Sequence, residues 1–184
     1  MNMSMTSVES GVLTPPVGSQ DHRRGPDNAE VTLVEYGDYE CRYCRQAHMV
    51  VNALIRDIGD KLLFVFRHFP LGQIHPYAQR AAEAAEAAAA QGAFWQMHDR
   101  LYENQALLTD IFVFELAHEL GLDVDRFARE LGEGKYTNKV REHMLSGIWS
   151  GVNGTPTFFI NGRRHDDPWD LPHLSRAITS AMAA

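Results

Sequence analysis

Between positions 31 and 70 the hydrophobic period of the chain switches from strand to helix and back. VTLVEY, Val31 to Tyr36, is β-branched and apolar at nearly every position, the pattern of a strand buried on both faces. Gly37 and Asp38 break it. From Cys41 onward Met49, Val50, Leu54 and Ile58 recur at helical spacing, and Gly59 ends the run. LLFVFRHF, Leu62 to Phe69, predicts a second strand stopped by Pro70. A strand, helix and strand so close together imply a parallel pair with a right-handed crossover.

The next roughly eighty residues keep a helical period. They open with Pro76, a good first-turn residue, and the tract AAEAAEAAAA from Ala81 to Ala90, which permits close backbone packing. Phe94, Met97 and Leu101 form an apolar stripe, and Gly121 and Gly132 have the character of C-caps. Asp123 is placed to cap a helix bearing Val124, Phe127 and Leu131, and a further helix carries Val140, Met144 and Ile148. Strand character returns in TFFI, Thr157 to Ile160, followed by the hairpin signal Asn161-Gly162 and by Arg163-Arg164; a last helix covers Leu171 to Met182. The expected class is α/β: a mixed sheet with an inserted block of helices. The implied division is a flexible N-terminal arm at 1–28, a sheet domain from 29–74 and 152–184, and a helical insertion at 75–151.

At 184 residues and 45% hydrophobic content, the chain can bury a core of one domain carrying such an insertion. Seventeen Lys and Arg against 24 Asp and Glu give a formal charge of -7, which argues against a nucleic-acid partner. No apolar run is long enough to insert into a membrane, and the N-terminus lacks the basic and apolar regions of a secretory signal. A cytoplasmic location is therefore expected. In a reducing compartment a retained pair of cysteines is more often reactive than structural.

The two cysteines of the chain are Cys41 and Cys44, directly after a buried strand and at a predicted helix start. Unpaired N–H groups and the positive end of the helix dipole stabilise a thiolate there, and the i, i+3 spacing puts the second sulfur on the same face, within reach of a small disulfide ring. Arg42 adds a cation beside the first thiol, which is expected to lower its pKa further. Two other readings compete: a structural pair, or half of a zinc site whose remaining two ligands the sequence does not supply. His165-Asp166-Asp167 reads as a solvated surface loop, and no metal or other cofactor is implied.

YGDYECRYCRQAH, FRHFPLGQIHP, FWQMHDRLYENQ and GVNGTPTFFINGRRHD together resemble the DsbA-like thiol-disulfide oxidoreductases, over roughly His22 to Ile178. That resemblance implies a thioredoxin fold interrupted by a helical domain, with Cys41 as the exposed nucleophile and Cys44 as the buried resolving thiol. Pro156 is similar to that family's cis-proline. A cis bond after Thr155 would bend the chain beside the cysteines and free the Thr155 backbone to pair with extended substrate; the alternative is an ordinary trans turn. Glu35 resembles the family's buried acid, able to exchange protons with Cys44 if desolvated, or else it reaches solvent at the strand end. Arg42 departs from the family, which usually has proline there. His48 lies one and two turns beyond the cysteines, either as a proton relay or as a structural hydrogen-bonding residue, the role also expected of His68. Tyr43, Phe158 and Trp149 are candidates for an apolar groove, with core packing favoured for Phe158 and Trp149. The implied activity is disulfide exchange with polypeptide or small-thiol substrates through a Cys41 mixed disulfide, with an unidentified redox recycling partner. The competing class is a redox-sensing or binding module without turnover.

Overall fold

The computed structural model describes residues 11–183 of the chain. Its centre is a five-stranded sheet formed by β1 (His22–Arg24), β2 (Val31–Gly37), β3 (Leu62–His68), β4 (Thr157–Ile160) and β5 (Arg163–His165), in the order β1-β3-β2-β4-β5. β2 and β3 are parallel, as their crossover helix α1 (Arg42–Ile58) requires, and every other pairing is antiparallel. The β4–β5 turn has Asn161 at φ 48 and Gly162 at φ 78, the paired left-handed conformation that makes Asn-Gly so strong a hairpin signal.

Alternation along β2 sends Leu33 and Glu35 to one face of the sheet and Val34 and Tyr36 to the other. On the first face Leu33, Phe64, Phe66, Phe158 and Ile160 pack with Cys44, Ala47, Val51 and Leu54 of α1 and with Leu174 and Ile178 of α7 (Leu171–Met182). On the second face Val34, Tyr36, Val65 and Phe159 pack with Leu13, Phe69 and Val152. There α6 (Thr137–Trp149) comes close enough that a Cβ on Gly147 would lie 2.7 Å from the Phe69 ring. The remaining inserted helices are α2 (Ala78–Ala89), α3 (Phe94–Glu103), α4 (Asp110–Glu119) and α5 (Val124–Gly132). α2 buries seven alanines, so the tract functions as a thin spacer between its neighbours rather than as a stripe.

Several sequence expectations need correction. Residues 11–28 are not a free arm: β1 pairs with β3, Leu13 is buried, and Asp21 forms an ion pair with the buried Arg67 at 2.8 Å. β1 reads His-Arg-Arg, with no apolar alternation to reveal it. Residues 1–10, also assigned to that arm, lie outside the described residues. Met49 is exposed, because the buried face of α1 runs through Cys44, Ala47, His48, Val51 and Leu54. Gly132 is still helical, and the left-handed glycine after α5 is Gly134. Trp149 stands half in solvent, whereas Phe158 is core as expected.

Candidate active site

Cys41 occupies the N-cap of α1 with extended backbone, and Cys44 lies in the first helical turn. Both are unlinked thiols. Cys44 is completely buried, whereas Cys41 keeps 5% of its surface, so only Cys41 offers sulfur to an incoming molecule. Cys41 Sγ lies 3.4 Å from the Thr155 carbonyl oxygen, to which it can donate only as a thiol, and Cys44 Sγ accepts from the Asp38 amide at 3.4 Å.

The two thiols have opposite acidities. A hydrogen bond from the Cys44 thiol is the largest influence drawing the Cys41 pKa down to about 5; burial opposes it, and the Cys44 and Tyr43 amides and the Thr155 hydroxyl add to it. That hydroxyl is buried and makes no hydrogen bond among the described residues. Burial pushes the Cys44 thiol well above its ordinary range, reinforced by its bond to Cys41 and by the charge of Glu35. One sulfur is thus an anion at neutral pH and the other remains a thiol.

Glu35 is almost fully buried on the α1 face of β2, with one carboxyl oxygen lacking a partner. Burial, with the Cys41 charge second, raises its pKa to about 8, so the carboxyl is protonated at neutral pH. An acid whose folded pKa is raised stabilises the fold below its unfolded value, near 4.5, and that contribution is lost as pH rises through about 8. Glu35→Gln should remove this pH dependence. In the oxidised protein, urea unfolding should show the variant gaining on wild type with increasing pH, by at most about 1.4 kcal/mol per unit. A difference that does not change between pH 5 and 8 would mean that Glu35 reaches solvent.

The other expected site residues divide into those brought to the thiols and those placed elsewhere. The Thr155–Pro156 peptide is cis, and Thr155 touches Cys41 directly. Arg42 is exposed and engaged with Tyr43: its guanidinium lies 4.7 Å from the ring centroid and donates to the hydroxyl at 2.7 Å. The cation expected beside the Cys41 thiolate therefore has another partner, and the low pKa of Cys41 is accounted for by hydrogen-bond donors. Tyr43 is half-exposed at the rim. His48 is buried, 3.0 Å from Asn52 Nδ2 and stacked on Tyr102, and burial lowers its pKa; this is a structural setting under the helix. His68 likewise bonds Glu86 at 2.9 Å within the core. His165 ends β5 and bonds the Pro168 carbonyl.

Two positioning residues escaped sequence reasoning. Asp38 is buried and its carboxylate accepts from the Glu40 amide, the Leu71 amide and His75 Nδ1, each at 2.8 Å, while its own amide reaches Cys44. It fixes the loop between β2 and α1. Gln105, in the 3-10 turn after α3, donates from Nε2 to the carbonyls of Tyr39 at 2.8 Å and Cys41 at 2.9 Å. The inserted helices are thereby tied to the N-cap cysteine. Asp38 was visible only as a strand breaker, and Gln105 carried no signal, since its partners lie more than sixty residues away.

Residues 18–180 match the family described as Thioredoxin. Among solved structures, the chain superposes on oxidised BdbD from Bacillus subtilis with a TM-score of 0.84 at 21% identity, covering 95% of this chain and 100% of that one. A thioredoxin-like oxidoreductase from Silicibacter pomeroyi is similar at 27% identity and a TM-score of 0.77, over 91% of this chain and 95% of that one. Among curated proteins, a Na(+)/H(+) antiporter NhaA 1 of Salinispora arenicola is 45% identical over 98% of this chain but only 28% of its own length. A Na(+)/H(+) antiporter NhaA 3 of Salinispora tropica is 46% identical over 94% of this chain and 26% of its own. The chain thus spans about a quarter of the length of the curated relatives it matches. No helix among the described residues is long and apolar enough to cross a membrane.

Proposed function

The chain belongs to the thioredoxin family, with a DsbA-like fold, and from that premise we propose that it is a thiol-disulfide oxidoreductase working through Cys41. The observation that carries this reading is the split acidity of the pair, with an anionic, slightly exposed Cys41 at the helix end beside a neutral, fully buried Cys44. When the dithiol is the reductant, Cys41 thiolate attacks a substrate disulfide. A Cys41–substrate bond forms, the substrate S–S bond breaks, and one substrate thiolate leaves. Cys44 then loses its proton and attacks Cys41 sulfur, closing the internal disulfide and releasing the second substrate thiolate. In the opposite direction a substrate thiolate attacks Cys41 of that disulfide, and the acidic Cys41 is the favoured leaving group in the last step. Glu35 has a place in either direction. Once Cys41 is in a mixed disulfide, its charge no longer raises the Glu35 pKa, so the carboxylate forms more readily as an acceptor for the Cys44 proton.

The substrate class in this reading is extended polypeptide or a small thiol, met at the Thr155 backbone and the Tyr43 rim. A recycling partner and a cytoplasmic setting belong to the same proposal. A second reading is favoured by the near-complete match to a quarter of an antiporter: the pair switches state reversibly and a partner senses it, without turnover. The test is turnover of a protein disulfide such as insulin with an added dithiol. Many reduced disulfides per chain, lost in Cys41→Ser, are expected for the oxidoreductase. Reversible oxidation with no acceleration over dithiol alone would overturn it in favour of the sensing module.

A further inference from the structure

We propose that His22, His68 and Glu86 form a binding site for a zinc-class divalent cation, at the seam between the sheet and the inserted helices and separate from the dithiol. The three side chains come from β1, the end of β3 and α2. Nε2 of His22 lies 2.7 Å and Nε2 of His68 2.9 Å from the same Glu86 oxygen, and one ligand atom from each residue falls within 4.8 Å of the others. Zinc ligands at about 2.0–2.1 Å from the metal are roughly 3.4 Å apart in a tetrahedron, so the contacts with Glu86 need open only slightly. The rings are already held. His22 stacks on Phe94 with centroids 3.4 Å apart, and His68 stacks on His143 at 5.4 Å.

Charge supplies the second argument. Glu86 is buried, and among the described residues its ion-pair partners are His22 and His68, with no lysine or arginine. The carboxylate is held by hydrogen bonds from both rings and by no permanent positive charge among the described residues, and a divalent ion placed between the three would supply one. Two imidazoles and one carboxylate suit zinc and its transition-metal neighbours rather than calcium or magnesium, which demand oxygen ligands. His22 is the partly exposed member, so ion and water enter past it. His68 Nδ1, which must keep the proton when Nε2 binds metal, is buried without a partner, and this lowers the affinity below that of closed structural zinc sites. His48, His98 and Asp99 form a similar cluster, but Arg24 holds both oxygens of Asp99, and Tyr39 bonds His98 Nδ1.

The test is calorimetric titration of the full chain, with Cys41 and Cys44 oxidised to remove thiolate ligands, using ZnCl2, CaCl2 or MgCl2. One zinc per chain is expected, with a higher Tm, affinity at least about tenfold weaker in His22→Ala, and unchanged affinity in a His165→Ala control. Because His22→Ala could lose metal by losing its fold, Co2+ bound to the wild-type chain is read as well; tetrahedral d–d bands without a sulfur charge-transfer band are expected. Absence of zinc binding, zinc binding undiminished in a folded His22→Ala, tighter binding of Ca2+ than Zn2+, or a cobalt spectrum lacking tetrahedral character would each overturn the proposal.

Discussion

Mixed with a disulfide-bearing polypeptide, Cys44→Ser should accumulate a covalent adduct through Cys41, while Cys41→Ser accumulates none. The asymmetry follows from placement: Cys41 caps the helix, keeps 5% of its surface exposed and has its thiolate stabilised, whereas Cys44 is sealed in the core and stays protonated. Serine at position 44 keeps a hydroxyl able to donate to the Cys41 thiolate, so the trapping variant retains most of the nucleophile's activation. The adduct persists because no resolving thiol remains. Non-reducing gel mobility and peptide mass spectrometry read the outcome. Equal trapping by both variants would remove the assignment of roles, since a sulfur with no exposed surface has no route to substrate in this fold.

The second large effect is in the pH dependence of alkylation. With a pKa of about 5 against 9.0 for an ordinary thiol, Cys41 is roughly 90% thiolate at pH 6, where an unperturbed cysteine is about 0.1% ionised. The thousandfold advantage in anion is partly offset because nucleophilicity falls with pKa, at a Brønsted slope of about 0.4–0.5 over about four units. The net expectation is a rate on the order of tenfold or more above a free thiol at pH 6, with a midpoint near 5 and a plateau above about 7. Thr155→Val should move that midpoint upward, because it removes a polar side chain that helps lower the Cys41 pKa. Arg42→Ala should leave it nearly unchanged, because that guanidinium is held by Tyr43. A midpoint above 8 in the wild-type chain, or a large shift in Arg42→Ala, would contradict this electrostatic account.

Those effects rest on features that differ in how visible they are in the sequence. β2, α1 and β3 were legible because each is a run whose period matches one kind of structure, and the β4–β5 hairpin because Asn161 and Gly162 accept left-handed backbone at little cost. The cysteine pair was legible by spacing and by its position after a strand. α1 shows the limit of that approach: its buried stripe includes Ala47 and His48, residues that carry little hydrophobic weight, so attention moved to Met49, which faces water. β1 was hidden because a three-residue edge strand rich in arginine is stabilised by pairing with β3, not by its own composition.

The polar contacts around the thiols were the least legible, since they join residues far apart in the chain. Asp38 organises Leu71 and His75 from more than thirty residues away, and Gln105 reaches back to Tyr39 and Cys41. Arg42 is the instructive case. A cation next to a thiol in sequence suggested a charge effect on the sulfur, yet the side chain folds over its other neighbour, Tyr43. Adjacency fixed the possible partners of Arg42 but not its rotamer. Glu35 was readable as an oddity on an apolar strand, and burial gives that oddity its chemistry.

The central claim is that Cys41 and Cys44 interconvert as one two-electron unit, and a redox titration of the purified chain in buffers of defined thiol-disulfide ratio tests it most directly. Acid quenching and mass spectrometry at each ratio count the disulfides and locate them. A single transition is expected, fitted by two electrons, between free dithiol and a Cys41–Cys44 disulfide, at a potential less negative than that of an unperturbed dithiol because the Cys41 thiolate stabilises the reduced form. Buffer thiols accumulating on Cys41 alone, with no Cys41–Cys44 bond at any ratio, would contradict it.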